Sequence, residues 1–115
     1  MSLLLALRLI SAAAFLYYGI RCLSSAAMIA EFERYGLPRM RVLTAILEIV
    51  GALGLLLAPT HHWVIAAAGG LCALMFAGLI VRMRISDPWY LMLPAFVLML
   101  LNGWIVVKAW RSGAS

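Results

Sequence analysis

The feature that most constrains this chain is a series of four long apolar runs, at residues 3–29, 42–58, 63–81 and 89–107. Each reaches the ~17 to 25 residues that a helix needs to cross a bilayer. The runs are continuous instead of alternating and are dominated by Ala and Leu, so membrane strands do not fit. Hydrophobic residues make up 67% of the chain and charged residues 11%, with a mean hydropathy of +1.09, which leaves too little polar surface for a water-facing globule. The expected fold is all-α: one domain over residues 1–115, an antiparallel up-down bundle of four transmembrane helices. No segment between the runs exceeds a short loop, so any chemistry must occur in or at the bilayer. Arg8 interrupts the first run and no basic residue precedes its apolar core, so that run is read as a retained helix and not a signal peptide.

The breaks carry turn chemistry. Gly36 suits a left-handed helix end, with Pro38 in the first turn of the next helix. Thr60 is placed to cap the third helix after Pro59, and Asp87 to cap the fourth ahead of Pro88. Gly69, Ala73 and Ala77 recur every four residues and predict close packing along one stripe of the third span, as Gly51 and Gly54 do on the second. Trp63 and Trp110 mark one membrane interface; Trp89, Tyr90 and Tyr35 mark the other. The net charge of +5 needs no nucleic acid, because the basic residues sit at helix ends beside headgroups.

Arg21, Arg34, Arg39, Arg41, Arg82 and Arg84 fall in the half of the chain that holds the 31–41 and 82–88 loops, against Arg8, Lys108 and Arg111 in the other half. The positive-inside rule then places those loops in the cytoplasm, the expected location being a bacterial inner membrane crossed several times. All four acids, Glu31, Glu33, Glu48 and Asp87, are in the same half. Glu48 lies about 9 Å inside the second span, counting at 1.5 Å per residue, and Arg21 is at about the same depth in the first. An unpartnered charge there costs several kcal/mol, roughly 2.5 to above 10 by different scales. Tyr17, Tyr18 and Thr44 are spaced to join these two residues in a polar intramembrane cluster. Two readings stay open: a structural clamp in which Arg21 and Glu48 pair, or a pocket in which Glu48 is a ligand contact, proton relay or catalytic acid or base. Glu31, Arg82 and Asp87 are further candidates in the loops of that face.

Cys22 and Cys72 lack paired spacing and differ in depth by about 8 Å, which argues for reduced thiols. His61 and His62 are neighbours expected to point apart, with no third ligand near in sequence, so no metal site is assigned. Asn102 is expected to form an interhelical hydrogen bond.

The segments EFERYGLPRMRVLTAILEIVGALGLLLAP and AAAGGLCALMFAGLIVRMRISDP, with Tyr18, Gly19 and Arg21 in the first span, resemble the DoxX-like family of small four-helix membrane proteins. The shared features are a GLP turn, an LE-x-x-GALGLLL helix and an Ala- and Gly-rich third span ending in basic residues. The resemblance implies association with membrane redox systems such as thiosulfate to quinone oxidoreduction, with oxidative-stress complexes, or with assembly of other membrane proteins. It carries importance over to Glu48, Arg21 and Glu31 without a shared mechanism. The leading expectation is an accessory subunit or assembly partner of a redox-linked membrane system. The alternative is a membrane-embedded enzyme or binder of a hydrophobic small molecule, quinone or lipid-like; a transporter or lipid-binding oligomer is a third. No cofactor motif identifies a cofactor, and the compatible partners are the bilayer, a membrane protein, an apolar small molecule and a second copy of the chain.

With the arginine-rich loops in the cytoplasm, a phosphatase reporter fused at Ser115 should be active and a fluorescent-protein fusion dark. A bright fusion with inactive phosphatase reverses the orientation.

Overall fold

The computed structural model describes residues 3–114, which form five helices: α1 (Leu3–Ser24), α2 (Ala26–Arg34), α3 (Met40–Leu57), α4 (His61–Arg84) and α5 (Trp89–Ala114). Of these, α1, α3, α4 and α5 are long and apolar enough to cross a membrane. The first apolar run was expected to be one helix to about residue 29, but it divides at Ser25. That residue is extended, with φ −87° and ψ 128°. The Ser24 hydroxyl turns back to the Ile20 carbonyl at 2.8 Å, and the Ser25 carbonyl accepts from the N–H groups of Met28 and Ile29, starting a new helix. Consecutive serines offer such local bonds in place of the continuing helix. The short α2 then lies against α1 and α3 and buries Phe32.

Both helices that end on this face close alike. After α2, Gly36 takes φ 77°, its N–H donates to Glu33 O, and the Leu37 N–H donates to Phe32 O. After α4, Ser86 takes φ 58°, with its N–H on Met83 O and the Asp87 N–H on Arg82 O. These are Schellman closures, which satisfy carbonyls that the helix leaves free. Asp87 therefore ends α4 instead of capping α5 as expected, and α5 begins one residue after Pro88. Thr60 has the extended backbone of an N-cap, but its side chain makes no capping bond.

The spans form a ring in the order α1, α3, α4, α5, with no Cα atoms within 8 Å of each other across either diagonal among the described residues. In the half that holds the N-terminus of α1, the ring is filled by Leu7, Ala12, Phe15, Leu55, Leu71, Ile105 and their neighbours. Within that core a polar contact joins α1 to α5: the Ser11 hydroxyl donates to Asn102 Oδ1 at 2.9 Å, and Asn102 Nδ2 donates to Leu98 O at 2.8 Å. Lipid offers these groups no alternative partner, so their mutual satisfaction fixes the pairing of the two helices.

Two arginines bind the antiparallel pair α1 and α3 at both ends. Arg8 on α1 donates through Nε to Leu55 O at 2.8 Å and through Nη2 to Ala58 O at 3.3 Å, where α3 ends. Arg41 on α3 donates through Nη1 to Cys22 O at 2.8 Å and Leu23 O at 2.9 Å, where α1 ends. Each guanidinium thus satisfies the last-turn carbonyls of the neighbouring helix and complements its negative dipole end. Between these contacts Gly19 admits α3 so closely that a Cβ there would stand 2.6 Å from Ile49 Cγ1 and 3.3 Å from Ala45 O.

Gly51 and Gly54 pack as expected, a Cβ at Gly51 falling 2.6 Å from Leu71 and one at Gly54 3.1 Å from the Ala67 methyl. The stripe expected on the third span does not. A Cβ at Gly69 would meet nothing within 4 Å, and Ala73 and Ala77 are exposed. The buried face of α4 is Val64, Ala68 and Leu71. This helix is apolar all round, so its sequence carries no phase to show which face turns inward.

Adding one methyl separates close contact from open space. Gly19→Ala should cost about 1 to 3 kcal/mol by overpacking against Ile49, whereas Gly70→Ala, with nothing within 4 Å, should be neutral or gain up to ~1 kcal/mol from helix propensity. Thermal unfolding in detergent measures both; equal shifts would contradict the tight α1–α3 approach.

Candidate functional site

In the opposite half the ring is not filled, and α2 folds over the gap. The result is a cavity of about 490 Å³ to which all five helices contribute. Its apolar walls include Met28 and Phe32 from α2, Met75 from α4, and Pro94 and Leu98 from α5. Its polar side chains include Tyr18 and Arg21 from α1, Thr44 and Glu48 from α3, Glu31 from α2, Arg82 from α4 and Tyr90 from α5. Pro94 has no N–H to return to the Tyr90 carbonyl, so α5 borders the cavity where its own ladder is interrupted.

Glu48 is only 7% exposed, and its Oε2 has no hydrogen-bond partner. Arg21 lines the same cavity, yet no ion pair within 4.0 Å joins the two, and the Arg21 side chain has no partner among the described residues. The structural clamp, one of the two readings that their common depth left open, is therefore not formed. At 100° per residue, Arg21 is about 200° around α1 from Gly19, the residue that faces α3. Depth matched while azimuth did not. The same rotation turns Tyr17 outward: it is 61% exposed, stacks edge-on against Tyr18 at 5.3 Å, and does not line the cavity. Tyr18, Thr44, Arg21 and Glu48 are brought together around one space.

A closed electrostatic cluster stands at the mouth. Arg34 grips Asp87 through Nη1 at 2.6 Å and Nη2 at 3.2 Å, and Glu31 through Nη2 at 2.7 Å and Nε at 3.2 Å. Arg82 donates to Asp87 at 2.8 Å and lies 3.9 Å from Glu31. The Tyr35 hydroxyl donates to Glu31 at 3.2 Å, while both guanidinium carbons lie over its ring at 5.5 and 5.4 Å. The Arg34 hydrogen bonds hold both the Asp87 and Glu31 carboxyls below the usual carboxylate range, with Arg82 adding to the effect at each. Burial, aided by the nearby Glu31 carboxylate, pushes the Tyr35 phenol up to about 12. Two acids and two arginines cancel, so the cluster ties α2 to the α4–α5 turn and is complete without a further ion. Sequence spacing selected Glu31, Arg82 and Asp87; it gave no sign of Arg34 as their hub, because the 53 residues from Arg34 to Asp87 are closed only by the tertiary fold.

Elsewhere, Cys22 and Cys72 are free thiols that donate to Arg41 O and Met99 O, each at 3.4 Å. The His61 and His62 rings lie 4.3 Å apart instead of pointing away from each other. No group of three or more His, Cys, Asp or Glu residues able to hold a metal ion occurs among the described residues. A larger groove, about 770 Å³, runs along the outer seam of α3 and α4 past Gly51, Gly54 and Gly70, but its side chains are almost wholly apolar and carry no chemistry.

Fold and cavity together define a small multi-pass integral membrane protein of four spans, with a polar pocket walled by apolar side chains. The family model of the DoxX-like family matches residues 4–104, nearly the whole chain, and the protein belongs to that family. No curated protein and no solved structure matches it significantly.

The separation of Glu48 from Arg21 makes the double-mutant cycle informative. The effects of Glu48→Gln and Arg21→Gln on unfolding in detergent should add to within ~0.5 kcal/mol, since the groups share no contact. A coupling of about 3 kcal/mol would restore the buried pair.

Proposed function

We propose that this protein binds an amphipathic small molecule inside the membrane, with the molecule's apolar body against Met28, Phe32, Met75 and Leu98 and its polar end at Glu48. The observation that carries this reading is the buried, unpartnered Glu48 Oε2 beside a cavity large enough for one small ligand. An oxygen left so in an apolar interior costs roughly 1 to 3 kcal/mol or more, which a bound donor would recover. Apolar walls with a few convergent polar groups are the general form of a small-molecule site, and intramembrane ionisable residues mark such sites more often than they mark packing. On the charge bias of its loops, the cavity opens toward cytoplasmic headgroups, within reach of molecules dissolved in that leaflet.

The accessory or assembly role expected from the sequence rests on the family resemblance, with its redox associations. Binding has a physical basis of its own in the cavity. Catalysis by Glu48 as acid or base would require the same occupancy as a first step.

Native mass spectrometry of protein purified in mild detergent tests the proposal. A co-purifying small molecule is expected on the wild type and should be lost from Ala95→Trp, which fills the cavity from α5, across the ring from Glu48. A stoichiometric protein partner with no small molecule would overturn binding in favour of the accessory role, and a small molecule retained equally by the variant would overturn the cavity as its site.

A further inference from the structure

We infer that α2 is a hinged gate over this cavity: the ligand enters sideways from the bilayer, between α2 and α5, when Arg34 releases Asp87 and the free edge of α2 swings outward. This rests on the binding reading above and supplies the route of access to that site and its control.

The exposure of the lining residues marks the route. Of the residues that border the cavity, Arg21 and Ala27 from α1 and α2 and Tyr90, Leu91 and Pro94 from α5 are exposed, whereas none of those from α3 or α4 is. The space therefore meets the lipid on the side between α1–α2 and α5. No Cα atom of α2 lies within 8 Å of one in α4 or α5, so no close backbone packing shuts that side. Ion pairs reach across it instead, from Arg34 to Asp87 and from Arg82 to Glu31.

The two edges of α2 are held by different forces. Phe32, the buried residue of this helix, packs with Cys22 and Ala45 and fastens one edge to α1 and α3. Glu31 and Arg34 lie about 100° and 160° round the helix from Phe32, in the same sense. They carry the opposite edge to Arg82 and Asp87. The Asp87 side chain is only 4% exposed, but those of Arg34 and Glu31 are 40% and 33% exposed, so the half of the latch that α2 carries stands open to water and salt. Ion pairs so placed are weak, which lets this edge release while burial of Phe32 keeps the other attached. Both ends of α2 give room for the turn: Ser25 is a single extended residue between two helices, and Gly36 takes a left-handed φ of 77°.

The rate at which dicyclohexylcarbodiimide, dissolved in the bilayer of lipid nanodiscs, modifies Glu48 of the intact chain measures the opening, with the site read by peptide mass mapping. Arg34→Gln should speed modification about three- to tenfold, the range that losing two partly exposed pairs allows. Glu33→Gln, which alters an exposed acid of α2 outside the cluster, should leave the rate unchanged. Raising salt from about 0.05 to about 0.5 M should speed the wild type, since it screens the latch, and should do little to Arg34→Gln. The wild-type salt response decides the matter by itself if the variant does not fold. Ala27→Trp and Leu91→Trp, which narrow the gap from its two sides, should both slow modification; rates unchanged in both would overturn the sideways route. With added hexadecanol still protecting Glu48, equal rates in the wild type and Arg34→Gln, or a wild-type rate indifferent to salt, would overturn the gate and leave the binding reading intact. Glu48 unmodified even in Arg34→Gln, or modified without protection by hexadecanol, would overturn the cavity reading itself.

Discussion

Hydrocarbon contains no water to take up a free hydrogen-bonding group, and the rest of this structure is organised around that constraint. A helix that ends inside or near the bilayer exposes carbonyls, and here Arg8 and Arg41 reach across from the antiparallel neighbour to receive them. Ser11 and Asn102 satisfy each other at the centre of the core. The α2 and α4 ends fold their own N–H groups back through Schellman closures. Against so consistent a pattern, Glu48 Oε2 is the exception, the buried side-chain oxygen without a partner among the described residues.

The exception has a structural origin. One half of the ring is filled by a compact apolar core and closed by the Ser11–Asn102 contact, while the other widens into a cavity beneath α2. The break at Ser25 makes this possible, because a straight continuation of α1 would leave no element to fold over the gap. The arginine and acid cluster then anchors α2 to the turn between α4 and α5. Lid, anchor and stranded carboxylate belong to one arrangement, in which the energetic cost at Glu48 is offset only when something occupies the space beside it.

How much of this was legible in the sequence depended on whether the signal lay along the helix axis or around it. Span number, the Gly36 turn, the depth of Glu48 and the membership of the loop acids all follow from position along the chain, which apolar runs and turn residues report directly. Azimuth did not follow. Arg21 and Glu48 share a depth, which left a pair or a pocket open, yet Gly19 and not Arg21 meets α3, and the pair does not close. The Gly69, Ala73 and Ala77 stripe failed for the same reason on α4, whose uniformly apolar surface gives no phase, and Tyr17 turned out toward lipid while Tyr18 turned in. The division at Ser25 was hidden inside an apolar run, where two serines change the hydrogen bonding without changing the hydropathy. Family membership was legible because the GLP turn and the Glu48 helix keep their order and spacing, and the family match spans residues 4–104.

The central claim is that Glu48 faces an accessible apolar cavity instead of a salt-bridge partner. A hydrophobic carbodiimide dissolved in the bilayer, which modifies carboxyl groups in apolar surroundings, tests it most directly when followed by peptide mass mapping. The account predicts modification at Glu48, with Glu31 and Asp87 protected by their arginines and with Glu48 labelling suppressed when the cavity is occupied by added long-chain alcohol. Labelling confined to the loop acids, or labelling of Glu48 that no occupant reduces, would contradict it.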